Sequence, residues 1–210
     1  MKKLTAFLLA VFCILSLAAC KDTAEEPKDT SDKPTNVTVD DAQTTAGETE
    51  TAGASNALEL LTAVWNSYGE DDKFPVAGGD LSEENMSMEG PGKFGLDDAD
   101  ALDTTLGFPA ASVDQIVDAA SLVHMMNANT FTCGAYHIKS ADDMEALTAA
   151  IKDHIMQRQW LCGFPEKLVI VTVDDYIVSF FGEGTFVDTF KTNLTTAYSS
   201  AQVVCDEPIA

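Results

Sequence analysis

The side chains best able to do chemistry in this 210-residue chain are its five cysteines, its three histidines and its clustered carboxylates. Cys133, Cys162 and Cys205 lie in the C-terminal half, and no two of them have the spacing of a zinc knuckle or a Cys-x-x-Cys redox pair. Cys133 and Cys162 bracket a strand–helix unit, so they meet if the helix folds back on its strand. In an oxidising compartment a bridge would close a loop of about thirty residues and add roughly 3 kcal/mol. The alternative is two small buried apolar residues. Cys205 falls in a polar C-terminal stretch as the odd thiol. His124, His137 and His154 share no His-x-x-x-His or glutamate-containing zinc pattern, so ordinary surface or half-buried roles are expected.

The carboxylates cluster at Glu70-Asp71-Asp72, at Asp80 with Glu83 and Glu84, and at Asp97-Asp98-Asp100-Asp103. A calcium loop needs oxygen ligands at alternate positions, glycine at the sixth and glutamate at the twelfth. Counting from Asp98, the fifth and sixth positions are Leu102 and Asp103, and the pattern fails. Solvated acidic faces are expected instead, with weak, nonspecific divalent binding as the alternative. No carboxylate pair stands out for glycoside hydrolysis, and there is no nucleophile elbow, phosphate loop or dinucleotide fingerprint. The sequence therefore gives no catalytic residue, no metal site and no cofactor. One apolar stretch has a composition favoured at protein interfaces. It is RQWLCGFP, with Arg158, Trp160, Leu161 and Phe164 at a helix end running into a turn, the alternative reading being a helix end simply packed on the sheet.

Regular elements must hold these residues. ALELLTAVWNSYG places Leu58, Leu61, Val64, Trp65 and Tyr68 on one helical face, with Gly69 as a stop. Some forty residues rich in Gly, Pro and acids follow, with helical possibilities at 82–86 and 97–106. Val113–Met126 reads equally as a helix or as a buried strand leading into Asn127-Ala128-Asn129. Thr130–Lys139 is β-rich. Ser140 caps a helix with Asp142 and Asp143 in its first turn, burying Met144, Leu147, Ile151 and Ile155 and running to about Trp160. Lys167–Val173 and Tyr176–Phe181 flank Asp174-Asp175 as a β-hairpin. A closing helix over 185–198 aligns Phe186, Phe190 and Leu194. Strand, helix, hairpin, helix implies an α+β fold, a small antiparallel sheet with helices packed on one face.

The N-terminus carries an address. Met1-Lys2-Lys3 precedes the apolar run LTAFLLAVFCILSLAA, too short for a spanning helix and followed by a small-residue cleavage point. The ending Leu17-Ala18-Ala19-Cys20 resembles the lipobox of bacterial lipoproteins. In that class the cysteine becomes the first mature residue and carries lipid on its thiol and amine, and several acyl chains give firm anchoring. Residues 1–19 are thus expected as signal peptide and Cys20 as the anchor on the extracytoplasmic face of the cell membrane. Residues 20–55 hold nine acids, three lysines and no aromatic residue beyond the anchor, the composition of a disordered acidic linker. A single domain over 56–200 and a tail over 201–210 complete the expectation. The formal net charge of -22 excludes partners held by charge on a phosphate backbone, so no nucleic acid is expected.

With that leader, TFTCGAYHIKSADDMEALTAAIKDHIMQRQ and KLVIVTVDDYIVSFFG resemble a group of Gram-positive lipoproteins that carry a domain of unknown function. The similarity runs over roughly Gly95 to Tyr198, about half the chain. In that group a strand ending in lysine leads to an acid-capped helix and then a hairpin. Some members are labelled bacteriocin transport accessory protein. That label is similar in name to a thioredoxin-like group, whose chemistry needs the Cys-x-x-Cys pair this sequence lacks. The resemblance implies a location and a fold, and no catalytic residues. Together the observations lead to an anchored, non-enzymatic binding or accessory module with a membrane or cell-envelope protein as partner. A surface thiol-redox factor or enzyme is the alternative.

Overall fold

A computed structural model describes residues 53–80, 82–161 and 163–209. The signal peptide, Cys20, most of the acidic linker and Cys162 lie outside the described residues. The elements in chain order are α1 (Ala57–Asn66), β1 (Val76–Ala77), β2 (Gly92–Lys93), α2 (Ala99–Leu106), β3 (Ile116–His124), β4 (Phe131–Ile138), α3 (Met144–Met156), β5 (Lys167–Val173), β6 (Tyr176–Gly182), α4 (Gly184–Ala197) and β7 (Gln202–Pro208). The seven strands form one sheet in the order β1-β3-β4-β6-β5-β7, with β2 also pairing β3, and every pairing is antiparallel. This is the α+β fold that the sequence implies.

The helical cover is more extensive than a single layer. On one face α1 and α4 pack over Leu122, Phe131, Val171, Val178 and Phe180. On the other, α2 and α3 pack over Tyr136, Ile138, Ile170, Ile177 and Phe181. The reason is written in KLVIVTV and YIVSFFG, which are nearly continuous apolar runs. A strand that alternated would have one wet face, whereas a continuous run needs cover on both.

Local chemistry sets the helix ends. The Asn56 side chain accepts from the Glu59 amide at 2.8 Å, and the Asp118 carboxylate on β3 accepts from the Ala57 amide at 2.6 Å. Two acceptors thus satisfy N–H groups at the start of α1 and fix it over β3. Asp98 caps α2 by accepting from Ala101 at 2.9 Å. Gly107 ends α2 at φ 71°, and a Cβ there would lie 2.8 Å from Ile155 of α3. Both the left-handed conformation and the close approach of α3 require glycine. Asp174 takes φ 50° in the two-residue turn between β5 and β6, a conformation that aspartate tolerates.

Three segments differ from expectation, and one ambiguity is resolved. Residues 82–86 make only a turn, closed by Met86 N–H donating to the Ser82 carbonyl at 3.1 Å. The ambiguous 113–126 stretch resolves into a 3-10 turn and then β3. The α3 helix stops at Met156, so Trp160 lies in the loop beyond it. The stretch read as a tail is β7, which pairs with β5 from Lys167↔Pro208 to Thr172↔Gln202. Only Cys205 of β7 is buried, so its sequence lacks the apolar signal of a strand and its pairing is non-local.

The long connection between α1 and α2 is organised by one carboxylate. Asp80 accepts from the Ser82 amide (2.9 Å), Asn85 Nδ2 (2.7 Å) and the Gly95 amide (2.9 Å), and from the Ser82 hydroxyl. Partial burial pushes its carboxyl up, but these donors outweigh it and hold the group at about 2, against 3.8 ordinarily. A depressed carboxylate stabilises fully above its unfolded value and ceases to do so as pH falls through its folded one. The 80–95 loop should therefore open between about pH 4 and pH 2, read from exchange of the Gly95 amide; in Asp80→Ala it should be open at neutral pH. In the core, Phe190→Ala should cost about 3–5 kcal/mol in urea unfolding, with an unchanged m-value.

Candidate functional site

The β4–β6 pair defines two ends of the described domain. Phe131 faces Gly182 at one end and His137 faces Tyr176 at the other, about 20 Å away at 3.3–3.4 Å per residue. The described chain begins at the Tyr176 end, where the tyrosine hydroxyl donates to the Ala54 carbonyl at 3.1 Å. The sequence-identified patch lies at the Gly182 end. There the 157–166 loop meets the β3–β4 turn, and Asn129 Nδ2 donates to the Gly163 carbonyl at 3.1 Å.

The four patch residues divide by role. Trp160 is half-buried, its ring 5.2 Å from that of Phe181, and the Arg158 guanidinium lies 5.3 Å from the indole centroid. Arg158 also donates to the Thr104 carbonyl, which ties the loop to α2. Burial pulls its pKa down while the Asp103 charge opposes, and guanidinium remains charged at neutral pH. Leu161 and Phe164 point outward, 91% and 76% exposed. The β3–β4 turn adds Met125 and Met126, 42% and 78% exposed. Leu161 and Phe164 project from the loop that this pair anchors, and Met125 and Met126 from the adjoining β3–β4 turn. Sequence reasoning missed the two methionines, although consecutive Met residues beside Asn-Ala-Asn were a usable sign of an exposed turn.

His124 braces this turn. Its Nδ1 accepts from the amides of Met126 and Asn127, each at 3.3 Å, and its ring stacks on Phe74 at 5.6 Å between centroids. The other histidines lie elsewhere. His137 Nε2 is 2.8 Å from Asp175 and His154 Nε2 is 2.8 Å from Asp103. Among the described residues no group of three His, Cys, Asp or Glu side chains converges to hold a metal. Two clefts of about 420 and 540 Å³ flank the Gly95–Asp97 segment, and both are lined by Asp80 and Phe94. The Asp80 carboxylate is already committed to its four internal donors.

The described thiols are poor nucleophiles. Cys133 is free and wholly buried under α1 and α4, and burial raises its pKa well above the ordinary range. Cys205 is also free and 6% exposed, raised by burial and by the Glu207 carboxylate. Thiolate is the reactive form, and both sites disfavour it. The proposed partner of Cys133, Cys162, lies outside the described residues.

Comparison of the chain with protein-family models, with curated proteins and with solved structures returns no match.

Replacing Leu161 and Phe164 together by serine should change stability by no more than about 0.5 kcal/mol, because both are exposed. Trp160→Ala should cost roughly 2 kcal/mol through lost packing on Phe181, and thermal melts of the two variants separate these roles. Cys133 and Cys205 should resist iodoacetamide at pH 8 in the native protein and react in urea, as followed by peptide mass spectrometry.

Proposed function

We propose that this protein is a lipid-anchored extracytoplasmic binding module that docks a membrane or cell-envelope protein through Met125, Met126, Leu161 and Phe164. The carrying observation is the exposed apolar set of two adjoining loops, Leu161 and Phe164 beyond the packed Arg158–Trp160 pair and Met125 and Met126 on the β3–β4 turn. Large apolar side chains grouped on a surface are costly to leave wet and mark interaction sites. Methionine and aromatic residues are those enriched in interface cores. The position supports a partner protein rather than the bilayer bearing the anchor. The described chain starts at the Tyr176 end, and the apolar set faces away from it. The lipobox at Cys20 supplies the anchor, and the residues from Lys21 to Ala52 can span at most roughly 110 Å. The resemblance to Gram-positive lipoproteins supports the same location. The raised thiol pKa values of Cys133 and Cys205 weigh against the thiol-redox alternative.

The test is photo-crosslinking of the full chain in its native membrane, with Cys20→Ala and the Leu161→Ser/Phe164→Ser pair as comparisons. One stoichiometric envelope protein should crosslink to the native chain and be lost from the serine pair, whose melting temperature stays the same. Loss in Cys20→Ala would show that anchoring contributes. Undiminished crosslinking by the serine pair would overturn the docking surface.

A further inference from the structure

The opposite edge of the sheet has a second unpartnered surface. The β7 strand is outermost, and among the described residues nothing pairs with its outer backbone. An irregularity in the β5–β7 register at Val204 leaves Val203 and Val204 45% and 49% exposed. Beside the strand runs a groove of about 530 Å³ between the sheet edge and α3. Thr172, Val204 and Cys205 contribute its floor, and Met144, Thr148 and Ala149 its wall. The Thr148 hydroxyl has no hydrogen-bond partner.

We propose that the β7 edge and this groove capture an extended polypeptide of alternating apolar and basic residues, which adds to the sheet as a further strand. The geometry meets both needs of strand addition. Unpaired main-chain groups give affinity, and an adjoining pocket accepts alternate side chains. Charge selects the partner. Asp142 and Glu145 border the groove and make no ion pair among the described residues. On the strand itself Glu207 is paired with Lys152, and Asp206 with Lys167 and Lys191, so neither sign is left free there and the two groove carboxylates set the charge. A basic segment is therefore attracted. A second copy of this chain, at a formal -22, is repelled. The acidic linker carries neither the charge nor the large apolar side chains to fill the groove. A helix could cover the groove but would leave the strand edge unsatisfied.

The inference is independent of the docking surface formed by Leu161 and Phe164. Its test uses the full chain in detergent and a fluorescent peptide of alternating lysine and valine. A control peptide is N-methylated at every second amide, which keeps charge and side chains but removes main-chain donors. The unmodified peptide should bind at least about tenfold more tightly than the control, the equivalent of one or more lost hydrogen bonds. It should also slow amide exchange within 202–208. Ala149→Trp, which fills the groove from an exposed helix position, should weaken binding by about tenfold or more, and Val204→Lys should do the same by charge. The Leu161→Ser/Phe164→Ser pair should bind the peptide as the native chain does. Equal binding of the two peptides would reduce the effect to charge alone and overturn strand addition, as would no binding, or full binding by both groove variants.

Discussion

Strands β4 and β6 are buried on both faces along almost their whole length, and the rest of the domain is arranged to keep them so. Their backbone groups pair with each other and with β3 and β5, leaving side-chain burial as the remaining requirement. Phe131, Phe180 and Phe190 meet on one side, while Tyr136 and Phe108 meet on the other. Each face needs its own helices because apolar side chains project from both. That requirement explains the distribution of α1 and α4 against α2 and α3. It also explains the small contacts that hold the helices in place. The Asp118 carboxylate at the start of α1 and the glycine that lets α3 approach the end of α2 serve the same end.

A central pair so fixed makes a rigid strut with distinct ends. Where the described chain begins, short polar turns at Asp174-Asp175 and Ser140 close the strands. At the other end the connections are longer and carry Met125, Met126, Leu161 and Phe164. Those side chains are exposed, yet the backbone beneath them is held by His124, by Asn129 and by the Arg158–Trp160 pair. Preorganised apolar groups on a braced backbone lose little entropy when covered, which is the property of an effective docking surface.

The legible parts of the fold were those with local signals. The β5–β6 hairpin and α4 appear in the sequence almost at their final boundaries, because turn residues and helical spacing are contained within the segment itself. The start of α3 was equally plain, whereas its end was placed four residues too far. What could not be read depends on distant partners. β7 has one buried residue and becomes a strand only because β5 offers an edge. Asp80 appeared as one member of an acidic cluster, while its role comes from the Gly95 amide fifteen residues away. Two-sided burial was open to inference from KLVIVTV, but the order strand, helix, hairpin, helix implied helices on one face alone. The interface stretch was found by residue type, and only the structure separates its supporting members from its exposed ones.

Three lysines, Lys152, Lys167 and Lys191, gather where the fold is least secured by packing. β7 buries only Cys205, yet Lys152 joins it to α3, and Lys167 and Lys191 are shared between its Asp206 and Asp188 of α4. Hydrogen bonds donated by Lys167 and Lys191 hold the Asp188 carboxyl below its ordinary range, and those Lys167 donates to Asp188 and Asp206 raise its own pKa in turn. Exposed ion pairs are individually weak, about 0–1 kcal/mol each, and screened by salt. Here they also neutralise two carboxylates that would otherwise repel each other across the seam between strand and helix. Without those lysines, Asp188 and Asp206 would push α4 and β7 apart at the edge that burial secures least. The same pairing leaves neither sign of charge free on β7 itself, so the charge an approaching segment meets is that of Asp142 and Glu145 beside the groove. One arrangement of charge thus holds the last strand in place and sets which partners its open edge can accept.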